Sequence, residues 1–266
     1  MYSKTLKPEI MSTMLPKDFL YDKLSQPKYG VTVEKDIMVT MRDGVKIAMN
    51  IYRPDAEGPF PAILLRTPYS KSLGELAQDN TVNELCRGFA EEFVPLGFAF
   101  VIQDCRGTGR SDGEWQPYIN EANDGVDLQE WICEQKWCDG NIALLGGSYC
   151  GHTQWAVADH AEHGLRAMCN EVPLFNWYDV NFSNGVYWLE CNTVWNMLQT
   201  HPRVGQEPLF DFSPDGWSGG LILRNGKDWE EIFEHLPLCS TGKQLGEQVP
   251  WLRPNLRHQE YGGYWH

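Results

Sequence analysis

The sequence predicts a doubly wound α/β fold, in which helices cover both faces of a mostly parallel sheet. Short apolar runs at residues 61–65, 98–102 and 142–145 have the composition of buried parallel strands. Helical stretches separate these runs, and such strand–helix alternation is typical of the fold class. Because the alternation stops near Phe175, we expect a sheet-forming core followed by a segment of different architecture.

The elements of the core can be placed one after another. Residues 31–41 and 45–52 alternate apolar and polar side chains around Asp43-Gly44, a pattern typical of a β-hairpin. The later elements follow in chain order: a strand at 61–65, a crossover helix at 76–93, a strand at 98–102, a helix at 125–135, a strand at 142–145, a helix at 152–160 and a strand at 167–173.

The chain divides into three predicted segments: a polar amino-terminal extension at 1–30, the core at 31–175 and a helical cap at 176–266. Tryptophans punctuate the cap, where Trp188 and Trp195 fall at helical spacing. The aromatic side chains of the cap either pack inward or line an acyl-binding pocket, and the two roles are compatible. A pocket of that kind belongs above the carboxyl ends of the strands.

Composition argues against several classes of function. A formal net charge of −14 opposes binding to nucleic acid or to anionic membranes. No apolar run reaches transmembrane length, and the amino terminus lacks the apolar core of a secretory signal. We therefore expect a cytoplasmic protein with no membrane partner, whose 266 residues suffice for a sizeable core.

The cysteines and glycines indicate neither a metal nor a cofactor. The eight cysteines are scattered, which favours free thiols over a disulfide scaffold. Cys133 and Cys138 form one close pair, but no second pair or histidine stands at zinc-finger spacing. The stretch from Gly107 to Gly109 hints at a dinucleotide loop, yet the third glycine is misplaced.

Residues 146–151, Gly-Gly-Ser-Tyr-Cys-Gly, are the most informative stretch of the chain. They lie between an apolar strand and a helical stretch, which is the context of a nucleophile elbow, although ordinary strand–helix loops also contain such glycines. The tight turn lifts the Ser148 hydroxyl above the sheet and admits only small neighbours such as Gly146 and Gly151. The same geometry points the backbone N–H of Tyr149 at a developing oxyanion. Ser148 is therefore the candidate nucleophile.

The pattern Gly-x-Ser-Tyr-x-Gly resembles the elbow of the X-Pro dipeptidyl-peptidase and cocaine-esterase group of serine hydrolases, the CocE/NonD family. Five further stretches resemble that family in the expected order: residues 35–46, 66–69, 103–115, 123–127 and 137–140. After residue 176 the resemblance is looser, chiefly at 249–251 and 264–266.

The resemblance implies an α/β-hydrolase fold and hydrolysis of ester or amide acyl groups through an acyl-serine intermediate. In that family a tyrosine at the position of Tyr69 contributes its phenolic hydroxyl to the oxyanion hole, whereas packing on Pro68 is the alternative role. Family substrates include X-Pro peptides, aryl esters, α-amino-acid esters and β-lactam side-chain amides. The sequence does not choose among these small-molecule and peptide substrates.

The two loops that hold the acid and the histidine of the family's catalytic triad are missing from this sequence. In the family they stand in Gly-Trp-Tyr-Asp-type and Gly-Pro-Trp-x-His-type loops, and neither stretch occurs here. We expect both beyond residue 266, together with the last core strands and a jelly-roll domain, so that the chain is the first part of a longer enzyme. The residues that could substitute are each more typical of the cap or surface: His152, His201, His235, His258, His266, Asp179, Asp211, Asp215 and Asp228.

Two rival functions follow from the same residues. Without the triad acid and histidine, the chain could be a catalytically silent fragment or pseudoenzyme that acts as a binding module, and a nucleotide-binding dehydrogenase is a more distant alternative.

Asp104, Arg106, Asp112 and Asp124 invite acid–base roles, but we expect their loop to be structural and to brace the elbow. An unpaired apolar sheet edge would favour self-association into a homo-oligomer.

Overall fold

The computed structural model describes residues 25–71, 88–172, 176–199, 210–213, 216–223, 228–237, 240 and 251–265. Most of the expected amino-terminal extension and most of the predicted crossover helix at 76–93 lie outside the described residues. Residues 88–93 of that helix are described, and they are helical.

A six-stranded sheet forms the core, with the strand order β1-β2-β4-β3-β5-β6. Strands β1 and β2 pair antiparallel, as do β2 and β4, whereas β4, β3, β5 and β6 run parallel to one another. The predicted doubly wound, mostly parallel sheet is confirmed. Its strands are β1 (Val31–Thr40), β2 (Lys46–Pro54), β3 (Phe60–Thr67), β4 (Ala99–Asp104), β5 (Cys138–Gly147) and β6 (Leu165–Glu171).

Both faces of the sheet are covered by apolar side chains. Ala62 and Leu64 of β3 belong to one buried cluster, together with side chains of helix α1 (Glu121–Cys133). Ile63 and Leu65 alternate with them and belong to a second buried cluster. Burial on both faces explains why the central strands are continuous apolar runs in the sequence.

Two helices begin earlier than the sequence predicts. Helix α1 begins at Glu121 rather than at residue 125, and the side chain of Glu121 is held there by a buried ion pair with Arg66. Helix α2 (Tyr149–Trp155) begins directly after Ser148, which is its N-cap residue, rather than at residue 152. The elbow therefore leads into the helix without an intervening loop.

The region after residue 176 contains short helices and two β-hairpins that the sequence did not reveal. Strands β7 and β8 have two residues each, too few to show a period. In the described part of the chain, no helix is long and apolar enough to cross a membrane. The elements are α3 (Trp177–Asn181), β7 (Phe182–Ser183), β8 (Val186–Tyr187), α4 (Leu189–Gln199), β9 (Phe210–Ser213), β10 (Gly216–Leu223), α5 (Trp229–Phe233) and α6 (Leu252–Arg257).

Candidate active site

Ser148 stands at the turn between strand β5 and helix α2, and it is exposed to solvent. Its backbone has φ 55° and ψ −127°, a combination that costs a non-glycine residue about 1–3 kcal/mol. Hydrogen bonds hold the turn in this conformation. The Ser148 N–H donates to the carbonyl oxygen of Glu171 at 2.9 Å, and the Ser148 carbonyl accepts from Gly151 N–H at 2.9 Å.

Close packing requires glycine two residues before the serine. Gly146 has φ 147°, and a Cβ atom at this position would lie 2.5 Å from the Cβ of Cys150. No side chain fits such a gap without a shift of the strand or the helix. The glycine requirement of the elbow thus follows from the approach of β5 to the first turn of α2.

Tyr69 follows strand β3, and its phenolic hydroxyl reaches the elbow. The Tyr69 hydroxyl lies 3.0 Å from the Oγ atom of Ser148. The backbone N–H of Tyr149 donates to the same hydroxyl at 3.4 Å. Burial raises the pKa of Tyr69, so the phenol keeps its proton and remains a donor at neutral pH. The structure thereby brings together all three residues that the sequence predicts for the site.

Trp195 of the cap helix α4 packs beside the elbow, with its ring stacked on that of Tyr149 at a centroid distance of 6.0 Å. The Tyr69 oxygen accepts from the Tyr149 N–H, and between the hydroxyls of Tyr69 and Ser148 either one can donate. Sequence reasoning placed Trp195 on a helix but offered no signal for its contact with Tyr149.

A buried chain of hydrogen bonds fixes the residue after the nucleophile. The fully buried Tyr149 hydroxyl donates to Oε1 of Glu121 at 2.9 Å, and Oε2 of Glu121 accepts from Arg66 at 2.9 Å. Burial raises the pKa of Tyr149 well above its ordinary value, so this hydroxyl also stays protonated. Because its side chain is anchored in this way, the Tyr149 backbone N–H keeps its direction toward Tyr69.

A cavity of about 380 Å³ lies beside the elbow, between the core and the cap. It reaches helix α2 at His152, one helical turn after Ser148, and Ser148 itself is not part of its wall. Tyr118 lines the cavity and packs against Trp177, with ring centroids 3.5 Å apart. The other lining residues are Gln116, Pro117, Ile119, Asn176, Trp251, Asn255, Tyr261, Tyr264 and Trp265. Aromatic side chains from the region after residue 176 thus line a cleft that is open to solvent on one side.

A model of the X-Pro dipeptidyl-peptidase (S15 family) matches residues 43–266, which include the elbow, Tyr69 and the cap. The chain belongs to the X-Pro dipeptidyl-peptidase (S15) family.

Individual relatives agree with the S15 assignment. The chain is 44% identical over 137 residues to a cocaine esterase of Rhodococcus sp. (strain MB1 Bresler), a match covering 52% of this chain. The crystal structure of a CocE/NonD family hydrolase from Staphylococcus aureus has a TM-score of 0.53 at 27% identity and covers 65% of this chain. An α-amino acid ester hydrolase superposes over 99% of the chain with a TM-score of 0.62 at 22% identity, which shows the shared fold.

This S15-family chain spans less than half the length of those relatives. The matches cover 23% of the cocaine esterase, 36% of the S. aureus hydrolase and 42% of the α-amino acid ester hydrolase.

The two histidines in the described part of the cap form hydrogen bonds with residues near them in the chain. Nε2 of His235 lies 2.8 Å from the Ser240 hydroxyl, and Nδ1 of His258 lies 2.8 Å from the Pro254 carbonyl oxygen. The His258 ring also stacks on Tyr264, with centroids 3.9 Å apart. Among the remaining candidates for a triad, His201, Asp215 and His266 lie outside the described residues, and Asp228 caps helix α5.

Asp104, the last residue of β4, and Arg106 in the loop after it make polar contacts with neighbouring segments. The carboxylate of Asp104 is buried and accepts the backbone N–H groups of Lys71 and Arg110. Desolvation raises the pKa of Asp104 to about 6. Arg106 forms a two-point ion pair with Asp124 of helix α1, at 3.0 and 2.5 Å. These bonds tie the loop to the Tyr69 segment on one side and to α1 on the other.

Proposed function

We propose that the protein is a serine hydrolase that cleaves ester or amide bonds through an acyl-Ser148 intermediate. The observation that carries the proposal is the meeting of three groups: the Ser148 hydroxyl, the Tyr69 hydroxyl and the Tyr149 backbone N–H. A nucleophile beside two preorganised donors is what acyl transfer requires. Membership of the S15 family supports the same chemistry.

In the proposed mechanism, Oγ of Ser148 attacks the substrate carbonyl carbon while its proton passes to a base. The carbonyl oxygen becomes an oxyanion and accepts hydrogen bonds from the Tyr69 hydroxyl and the Tyr149 N–H. In the free protein the Tyr149 N–H donates to Tyr69 itself, so the arriving oxygen must take that bond over. The leaving group departs with the proton from the base, and water then hydrolyses the acyl-serine.

We propose that the base and its orienting acid come from outside these 266 residues. His235 and His258 are engaged with Ser240 and Pro254, respectively. Burial of the Tyr69 phenol keeps it protonated, so it is suited to donate to an oxyanion rather than to accept the serine proton.

For the substrate, we propose an acyl or leaving group with an apolar or aromatic part. The cavity beside the elbow is lined by Tyr118, Trp177, Trp251 and Trp265, which offer flat apolar surfaces. Small esters and X-Pro peptides both satisfy this description, in keeping with the cocaine esterase relative and the family name.

The test is hydrolysis of p-nitrophenyl acetate by the longest native form of the protein, with Ser148→Ala as the variant. Mass spectrometry of a quenched reaction should find the acetyl group on Ser148. Ser183→Ala, a half-buried serine of strand β7, is the control and should retain full turnover. Unchanged turnover in Ser148→Ala, or acetylation at another residue, would overturn the proposal.

A further inference from the structure

Three potential metal ligands meet on the loop between helix α2 and strand β6. The sequence Asp159-His160-Ala161-Glu162-His163 ends in a single 3₁₀ turn, Ala161–His163. One donor atom from each of His160, Glu162 and His163 lies within 4.8 Å of the other two. Oε1 of Glu162 lies 3.6 Å from Nδ1 of His160 and 3.3 Å from Nε2 of His163.

We propose that His160, Glu162 and His163 bind a divalent transition-metal ion, with Zn²⁺ as the best fit. Zn²⁺ binds imidazole nitrogen and carboxylate oxygen at about 2.0–2.2 Å, so tetrahedral ligand atoms stand about 3.3 Å apart. The two distances from the Glu162 oxygen are close to that spacing. Two imidazoles with one carboxylate suit Zn²⁺ better than the oxygen-seeking Ca²⁺ or Mg²⁺. Water would complete the coordination.

A carboxylate other than that of Glu162 lies near the remaining ring nitrogen of each histidine. The other nitrogen of His163, Nδ1, lies 3.1 Å from Oε1 of Glu130 in helix α1. The other nitrogen of His160, Nε2, lies 3.5 Å from the Asp159 carboxylate. Metal-binding histidines characteristically donate their second N–H to a carboxylate, which fixes the ring and makes its other nitrogen more basic. Each of the two rings has a carboxylate oxygen within 3.5 Å of that second nitrogen.

The backbone of the 3₁₀ turn is fixed to the core, which limits the freedom lost on metal binding. The carbonyl oxygen of His163 accepts from Sγ of Cys133 at 3.6 Å. The carbonyl oxygen of Gly164 accepts from the N–H of Ile142 at 2.8 Å. Gly164 packs closely against the core, since a Cβ atom on this residue would lie 2.6 Å from Sγ of Cys133. The side chains remain open to solvent: 40% of His160, 25% of His163 and 62% of Glu162 are exposed, so an ion can enter.

The position of the cluster argues for a structural role. It precedes strand β6, which starts at Leu165, so it lies at the amino ends of the parallel strands. Ser148 follows β5 and therefore lies at the opposite, carboxyl edge of the sheet. An ion at the cluster would tie the α2–β6 loop to helix α1 through Glu130, and it would raise thermal stability without entering the chemistry.

The experiment titrates Zn²⁺ into tag-free, chelator-stripped protein at pH 7.5 by competition with a chromophoric chelator. We expect one equivalent to bind and to raise the Tm. Co²⁺ should give d–d absorption without a thiolate charge-transfer band, since no cysteine is among the ligands. His160→Gln and His163→Gln should each weaken binding at least tenfold. Glu130→Gln should weaken it about 10–100-fold by releasing the His163 ring.

His258→Gln is the matched control, because it removes a cap histidine outside the cluster, and it should leave binding unchanged. Circular dichroism of each variant without metal checks that folding is retained. The proposal fails if wild-type protein binds no Zn²⁺ at micromolar concentrations, or if binding survives in His163→Gln. A Co²⁺ thiolate band would assign the ion to cysteines and would equally overturn it.

Discussion

The hydroxyl of Tyr69 lies 3.0 Å from the Oγ atom of Ser148, although 79 positions separate the two residues in the chain. Strands β3 and β5 are neighbours in the sheet, and each of the two residues follows the carboxyl end of one of them. The parallel pairing of these strands thus brings a donor to a nucleophile.

Replacement of Tyr69 by phenylalanine should lower kcat about 10²–10³-fold with little change in KM. The variant removes one donor to the oxyanion, which forms only in the transition state, so ground-state binding is spared. Steady-state hydrolysis of p-nitrophenyl acetate by a catalytically competent form of the protein measures both constants. Tyr29→Phe, which alters a tyrosine packed on Phe60 away from the elbow, should behave as wild type. A wild-type kcat in Tyr69→Phe would contradict the oxyanion role.

Replacement of Gly146 by alanine should lower the free energy of unfolding by about 1–3 kcal/mol. It should also abolish labelling of Ser148 by a fluorophosphonate. The new methyl group meets Cys150 at 2.5 Å, and the positive φ of 147° disfavours any side chain. Gly147→Ala is the matched control, since the nearest atom there, the carbonyl oxygen of Glu171, stands at 3.3 Å and φ is not positive. Urea unfolding of both variants provides the measurement. Equal losses of stability would mean that the elbow geometry is not what requires Gly146.

Asp104 should make the protein less stable as the pH rises from about 4 to 6. Burial raises its pKa from 3.8 to about 6, so the folded state binds this proton more tightly than the unfolded state does. The free energy of unfolding therefore falls across that window, by up to about 3 kcal/mol for a shift of this size. Lys71 and the two backbone N–H donors already offset part of the cost of the charge.

The check on Asp104 is urea unfolding at several pH values for wild type, Asp104→Asn and Asp112→Asn. The pH-dependent loss between pH 4 and 6 should disappear in Asp104→Asn, whatever the absolute stability of that variant. It should persist in Asp112→Asn, which alters an exposed residue of the same loop. A pH profile that is the same in wild type and Asp104→Asn would contradict the assignment.

Local sequence patterns predicted the sheet and the elbow because both depend on short-range features. Apolar runs located β3, β4 and β5, and the glycines around Ser148 located the turn. Contacts across the chain left no such signal. Trp195 is one aromatic residue among many in the cap, and nothing in its neighbourhood indicates that it stacks on Tyr149.

The supporting contacts were hidden for the same reason. Glu121 lies four positions before the helix that the sequence predicts, yet it joins Arg66 to the Tyr149 hydroxyl in the buried chain beneath the elbow. By contrast, the candidate zinc ligands His160, Glu162 and His163 are nearly contiguous in sequence. The stretch His-Ala-Glu-His contains no cysteine, so its ligands do not have the spacing that marks a zinc finger.

The 266-residue chain by itself should hydrolyse p-nitrophenyl acetate slowly and label weakly with fluorophosphonates. If the base comes from outside these residues, as proposed, the Ser148 hydroxyl of the 266-residue chain stays near its solution reactivity. The hydrogen-bond donors at Tyr69 and Tyr149 then accelerate hydrolysis only about 10³–10⁴-fold over the reaction in water. Assays of this chain beside a longer native form should show a large gain in the latter. Rapid turnover by the 266 residues, lost both in Ser148→Ala and in one of His201→Ala, His235→Ala or His258→Ala, would instead show that a histidine of the cap completes the site.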